Sequence, residues 1–417
     1  MNNPQELYDK REKRVQSVIA LKEPDRVPIN ALAQGYPVTD NGHTMAEAVY
    51  NFDIAESCML KFAQKYDPDI VSIHNGNYWG MGKALELMQP TRLDWAGKPG
   101  GRNKENYIHQ VIEFSPLEDE EIDEFNADYT SWMLHKGLPK VSKLLSPLAN
   151  IWSLEGGPAY DISYLASEFS TPEFRNMMQT LWKINDLTAE ATNRMSALDA
   201  KLNALGYLTP VQGYAAIPLD NYGAYLRGTQ DCLMDLYENE DTILNFCERT
   251  LYSQIASIQA QGEYLKGKWA VFYLTKASDS FMGAEHFKKF YWGHLQTLIE
   301  EVLKCGMVPY VYTEGPFTSR LEFLKDVPKG VIYHFEDTVD MKLAKKLLGD
   351  SACIAGGFPI ADLLFSEKQT VIDKAKALLD ICAPGGGYIF ETAAGFDEAR
   401  RENVEALFET VKEYGKY

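Results

Sequence analysis

The stretch MVPYVYTEGPFTSRLEFLKDVPKGVIYHFED, Met307 to Asp337, decides the fold. Met307 to Tyr312 is a short apolar run that reads as a buried strand, and Glu314 and Gly315 follow where that strand would end. A helical span then leads through Pro328 and Gly330 into a second run, Val331 to Tyr333, which ends on His334. Consecutive strands of a parallel sheet finish on the same edge, so Glu314 and His334 are expected to face one pocket. A carboxylate is expensive to bury without a partner. Two readings of Glu314 stay open: a salt bridge to Arg320 or a helix N-cap, and a metal or acid/base role alongside His334.

Outward from this pair the alternation is regular. Trp269 to Leu274 reads as a strand and Ala284 to Cys305 as a helix; on the other side Met341–Leu348, Ala352–Ala355, Thr370–Cys382, Tyr388–Phe390 and Glu402–Tyr414 alternate helix and strand. Toward the N-terminus, a helix with Val15, Val18 and Ile19 inward ends at Pro24, before a strand at Val27–Leu32. Thr44 to Tyr66 has apolar residues at helical spacing, and Ile70 to His74 is a second short strand. Gly206 to Gly213 supplies a third. Strands therefore fall near 27, 70, 208, 269, 308, 331, 352 and 388, each followed by helix, which is the pattern of a (β/α)8 TIM barrel over 1–417. Residues 77–205 show no recurring strand alternation and are expected to form a large, mostly helical excursion between strands 2 and 3, covering one mouth of the barrel.

Barrel active sites lie where strands end. That edge would gather His74, Gln212, Lys276, Asp279, Tyr312, Glu314, His334, Glu336, Gly356 and Glu391. His74 is either a substrate contact or a hydrogen-bonded strand end. Asp279 either orients substrate and accepts a proton or caps a helix. Lys276 is a substrate-side or salt-bridge cation. Tyr312, Trp79, Tyr78 and Phe281 would line an aromatic pocket, or the core. His43, His109, His135, His286 and His294 read as surface or satisfied residues.

A net charge of −18 argues against nucleic acid or an anionic membrane surface as partner. No run of 18 apolar residues occurs and the first residues are polar, so neither a membrane anchor nor a signal peptide is expected, and the location should be cytoplasmic. The six cysteines are scattered without a C-x-x-C, as reduced core thiols are, and offer no cysteine-rich zinc site. A homo-oligomer is left open.

Taken together, Lys13-Arg14-Val15, Glu23-Pro24-Asp25-Arg26-Val27-Pro28, LRGT from Leu226, FYW from Phe290, YTEG from Tyr312, SRLE from Ser319, AKKLLGD from Ala344, CIAGG from Cys353 and GGYIF from Gly386 resemble the uroporphyrinogen decarboxylase superfamily. No single motif is specific; their order and spacing are. The resemblance implies the same barrel and two chemistries. Porphyrinogen decarboxylases of the family grip a polycarboxylate with N-terminal arginines, and here no arginine stands between Arg26 and Arg92. The other branch holds zinc-dependent methyltransferases that feed corrinoid-dependent methyl transfer. Its thiol-activating members carry His-x-Cys-Gly where this chain has Tyr312-Thr313-Glu314-Gly315, so a coenzyme M type of site is not implied. Its aryl-ether members use a Glu…Glu…His pattern, of which Glu314 and His334 would be the last two; Glu391, at the eighth strand's end, is the geometric candidate for the third.

The resemblance thus implies zinc on Glu314, His334 and Glu391, acting as a Lewis acid on the departing oxygen of a small O-methyl aromatic ether. The methyl group would pass to the cobalt of a corrinoid carried on a separate partner protein. The catalytic set expected is Glu314, His334 and Asp279, with His74, Tyr312, Trp79 and Lys276 toward the substrate. The alternatives are a metal-free decarboxylase or lyase with Glu314 and Glu391 as acid/base pair, and a non-catalytic accessory factor for corrinoid proteins.

Overall fold

The computed structural model describes residues 3–72, 78–102, 105–151 and 157–417. Its strands occupy the eight expected places: β1 (Asn30–Ala31), β2 (Ile70–Val71), β3 (Val211–Tyr214), β4 (Trp269–Leu274), β5 (Val308–Thr313), β6 (Ile332–Phe335), β7 (Cys353–Gly356) and β8 (Tyr388–Ile389). From β3 to β8 each pairs in parallel with the next, and β1 pairs in parallel with β2. Two parallel bridges join the pieces, Ile29 with Phe390 and Ile70 with Leu208, so the parallel pairings run round a closed ring. Helices separate the strands, as parallel connections require.

Alternation along the strands sorts side chains between the inside of this ring and the helical layer. Trp269, Val271 and Tyr273 of β4 join Tyr310 and Tyr312 of β5, Ile332 of β6, Cys353 and Ala355 of β7 and Ile389 of β8 in one cluster. Their neighbours Phe272, Val311, Tyr333, Ile354 and Tyr388 belong instead to the large cluster under the helices. Val15, Val18 and Ile19 of the first helix, Pro4–Ile19, pack against the inner cluster and stop the end where the strands begin. An ion cluster reinforces that end. Asp69, wholly buried, takes hydrogen bonds from Arg14, from Arg26 at 2.7 Å and from the Ile29 amide at 2.8 Å. The Arg14 and Arg26 of the N-terminal motif thus serve the barrel floor.

The expected helix over Thr44–Tyr66 is two helices, Met45–Tyr50 and Phe52–Tyr66. Asn51 adopts an extended backbone between them and its side chain accepts from the Asp53 amide at 3.0 Å. This is the N-cap geometry in which Asn outcompetes helix continuation. Asn51→Ala is expected to lower stability by about 1 kcal/mol in urea unfolding; no change would assign the break to packing alone. Between β2 and β3 the chain is mostly helical, ending in the long helix Pro172–Ala204. It also holds a small antiparallel pair, Leu93–Asp94 with Gln110–Val111, whose two-residue strands are too short to show alternation. Among the described residues, no helix is long and apolar enough to cross a membrane. Five of the six cysteines are buried and all are free thiols.

Candidate active site

The inner face of β5 runs Tyr310, Tyr312 and then Glu314, one every second residue, and leads into a cavity of about 390 Å³. That volume lies toward the small end of ligand sites, which span roughly 300–1,000 Å³. Tyr214, Tyr273 and Thr275 reach it from the ends of β3 and β4, Ser72 from the end of β2, and Asp220, Asn221 and Tyr225 from the segment after β3. Gly315 has φ +79°, a left-handed conformation that costs glycine little, and the chain turns directly after Glu314.

Glu314 is half-buried, and among the described residues it makes no hydrogen bond or ion pair. Burial, with Glu336 nearby, holds its carboxyl above the usual range, and Lys276 opposes the shift. Neither the salt bridge to Arg320 nor a capping role is made. Asp220 is the second carboxylate of the cavity. It accepts from the Lys276 amide at 2.6 Å, from the Thr275 hydroxyl at 3.1 Å and from the Tyr291 hydroxyl. Burial pushes its pKa up to about 7 against those three donors, with Glu314 adding to the rise.

His334 and Glu391 lie beneath this cavity and outside its lining. His334 Nδ1 is 2.5 Å from Glu391 Oε2 and its Nε2 is 3.0 Å from the Ala393 carbonyl. The hydroxyl of Tyr310 donates to the same Oε2 at 2.9 Å, and Asn30 donates to Oε1 at 2.6 Å. His334 is 0% and Glu391 1% exposed. Tyr312 covers the imidazole, its ring stacked at 4.1 Å and 9°. The neighbours in register, Tyr312 opposite His334 and Tyr273 opposite Tyr312, place these rings at one level of the barrel.

Zinc needs three protein ligands gathered around one point, with a place left for substrate. Both imidazole nitrogens of His334 are engaged, both oxygens of Glu391 are taken, and Glu314 stands apart in the cavity. Among the described residues no three His, Cys, Asp or Glu side chains are grouped to hold a metal. The set Glu314, His334 and Glu391 therefore does not fit zinc, and a Glu314–Glu391 acid/base pair is not assembled either.

The remaining expected residues divide. Tyr312 lines the cavity. Trp79 does not: it is buried in the cluster between the early helices and the excursion. Asp279 also lies outside it, accepting from the Ser319 amide at 3.0 Å and hydroxyl at 2.6 Å, which fastens the β4 loop to the turn after β5. The Lys276 ammonium donates to the Thr229 hydroxyl at 2.7 Å and is absent from the lining; its contribution is the amide that holds Asp220. His74 lies outside the described residues. His109, expected at the surface or satisfied, lines the cavity with Nδ1 buried and, among the described residues, without a hydrogen-bond partner, and burial lowers its pKa. Asp220, Tyr273 and Tyr214 were the residues sequence reasoning passed over; the faint signal for Asp220 was a carboxylate set directly after the apolar Ala215–Leu219 run.

Residues 161–414, well over half the chain, match the uroporphyrinogen decarboxylase (URO-D) family. The chain belongs to that family. A uroporphyrinogen decarboxylase of Aromatoleum aromaticum is 24% identical over 269 residues, 60% of this chain and 73% of that protein. Among solved structures, a methyltransferase from Methanosarcina mazei superposes with a TM-score of 0.59 at 15% identity, covering 97% of this chain and 98% of that one. At that identity the likeness speaks for the fold.

Proposed function

We propose that this URO-D family protein transfers a methyl group from a small donor, bound in the tyrosine-lined cavity, to the cobalt of a corrinoid carried on a separate protein. The observation that carries the reading is the lining itself: tyrosines and two carboxylates, with no arginine or lysine among the described lining residues. A polycarboxylate would meet like charge there, whereas a compact methyl donor fits the volume. The protein's task in such a transfer is positional. The aromatic walls hold the donor with its methyl group toward the open mouth and exclude water, which brings the two reactants into an attack geometry.

The test is a spectrophotometric assay with free cob(I)alamin under reducing conditions, offering methoxybenzenes and methylated ammonium compounds in turn. Loss of the cobalt(I) band with formation of methylcobalamin is expected for one of these classes, and Tyr312→Leu should slow it at least tenfold, about 1.4 kcal/mol of barrier. Cobalt(I) unchanged by every donor would overturn the reading. The raised pKa of Asp220 favours one other chemistry, a metal-free decarboxylation with Asp220 and Glu314 handling the proton. Carbon dioxide release from a carboxylated pyrrole, abolished in Asp220→Asn, would establish it instead.

A further inference from the structure

The cavity joins two features that together select a charge type. Tyr214, Tyr273 and Tyr312 stand in sequence along three adjacent strands, with ring centroids 6.4 Å apart for the first pair and 5.5 Å for the second. Tyr225 forms a further wall. Burial and the neighbouring carboxylates push the hydroxyls of Tyr214, Tyr273 and Tyr312 upward, so these rings remain neutral phenols whose faces carry the negative end of the ring quadrupole. Asp220 and Glu314 bring two carboxyl groups to the same space, and Glu314 has no counter-ion within ion-pair distance among the described residues. Neither Lys276, which donates to the Thr229 hydroxyl, nor Arg92, which donates to the Ala224 carbonyl with its guanidinium over Phe114, is among the described residues that line the cavity. An aromatic wall beside a carboxylate without a counter-ion is an arrangement that suits a methylated ammonium, whose charge is too diffuse for a single hydrogen bond.

We infer that the methyl donor is an onium compound, a quaternary ammonium ion seated in the cavity against the wall of Tyr214, Tyr273 and Tyr312, with Glu314 as its counter-charge. This rests on the methyl-transfer reading and names its substrate class. The chemistry is consistent with the residues present. An aryl ether would release a phenoxide, a basic anion that must be protonated or held by a Lewis acid. A quaternary ammonium releases a neutral tertiary amine: the C–N bond breaks with its electron pair staying on nitrogen, and the cobalt(I) electron pair forms the new C–Co bond. Cobalt is formally oxidised from (I) to (III), and no proton moves. The cavity then needs only to hold a cation and present its methyl group. Its carboxylates, awkward beside a departing anion, suit a ligand that arrives charged and leaves neutral.

The experiment is calorimetric titration of the full chain with tetramethylammonium and choline, and with 3,3-dimethylbutan-1-ol, the uncharged carbon counterpart of choline. Choline is expected to bind at least tenfold more tightly than the alcohol, and Glu314→Gln, which keeps shape and removes charge, should weaken choline at least tenfold. A folded Tyr273→Leu should do the same. Equal binding of choline and the alcohol, or no binding of either ammonium ion, overturns the inference. If methoxybenzenes alone are demethylated by cob(I)alamin, methyl transfer stands and the onium class falls. If choline binds with the expected preference yet never methylates cob(I)alamin, the cation site stands and the transfer reading falls.

Discussion

Glu391→Ala is expected to destabilise the protein by about 3–5 kcal/mol, because it leaves several buried polar groups without a partner. The side chain removed satisfies three groups at once: His334 Nδ1, the Tyr310 hydroxyl and the Asn30 amide. With Asn30 only 2% exposed and Tyr310 only 3%, none of them gains water in exchange. Each orphaned polar group carries a desolvation penalty of roughly 1–3 kcal/mol. Glu391→Gln should cost less, because its carbonyl still receives Asn30 and its amide can donate to an Nδ1 that lacks a proton. Urea unfolding of the two variants beside wild type reads the difference. The same measurement tests the ligand question. Were His334 and Glu391 zinc ligands, prolonged dialysis against a chelator would lower wild-type stability by a comparable amount; with both side chains already satisfied by protein groups, no change is expected. A chelator-induced fall in the midpoint would show that the pair opens to take a metal.

Much of the barrel was legible because its evidence is local. Six-residue runs such as Trp269–Leu274 and Val308–Thr313 carry their own apolar signal, and Pro and Gly mark their ends. Tyr310, Tyr312 and Glu314 also announce a shared face by their spacing. What local pattern cannot carry is closure. Asn30 meets Glu391 across 361 residues, and Tyr310 meets the same carboxylate across 81. Whether a strand-end carboxylate opens into the mouth or turns beneath it depends on how far each strand is shifted against its neighbours, and a shift of one residue exchanges the two faces. Glu314 and Glu391 look alike in sequence, each following an apolar run; the register sends one to the cavity and the other to His334. Asp220 was hidden for a different reason. It sits on the four-residue helix Pro218–Asn221, where no periodicity exists to announce a face.

Asp220→Asn is expected to remove a loss of stability that the wild type suffers as pH rises. The folded protein holds this carboxyl near pKa 7, above its ordinary 3.8, because burial disfavours the anion more than Tyr291, Thr275 and the Lys276 amide favour it. Between those two values the folded state binds more proton than the unfolded chain, so folding stability from this group is full below pH 3.8 and is lost as pH rises toward 7. The loss is on the order of 4 kcal/mol in total, with roughly half of it falling between pH 5 and 7. Asparagine is nearly isosteric with the protonated acid: its carbonyl can receive the Lys276 amide and the Thr275 hydroxyl, and its amide can donate to the Tyr291 oxygen. The variant should therefore match wild type near pH 4, exceed it by a few kcal/mol at pH 8, and show a flatter profile between. Unfolding by urea at pH 4, 6 and 8 gives the comparison, in which all other titrating groups cancel. Equal stability at pH 8 would mean that Asp220 ionises without penalty, with water or another donor reaching it. Glu314→Gln supplies an independent check, since removing that neighbouring charge should draw the wild-type decline toward lower pH. Ionising this buried carboxyl at high pH is a cost to the fold, and a cation entering the cavity is the event that would relieve it. Adding tetramethylammonium at pH 8 should thus raise the stability of wild type more than that of Asp220→Asn, which joins the energetic account of this residue to the proposed ligand.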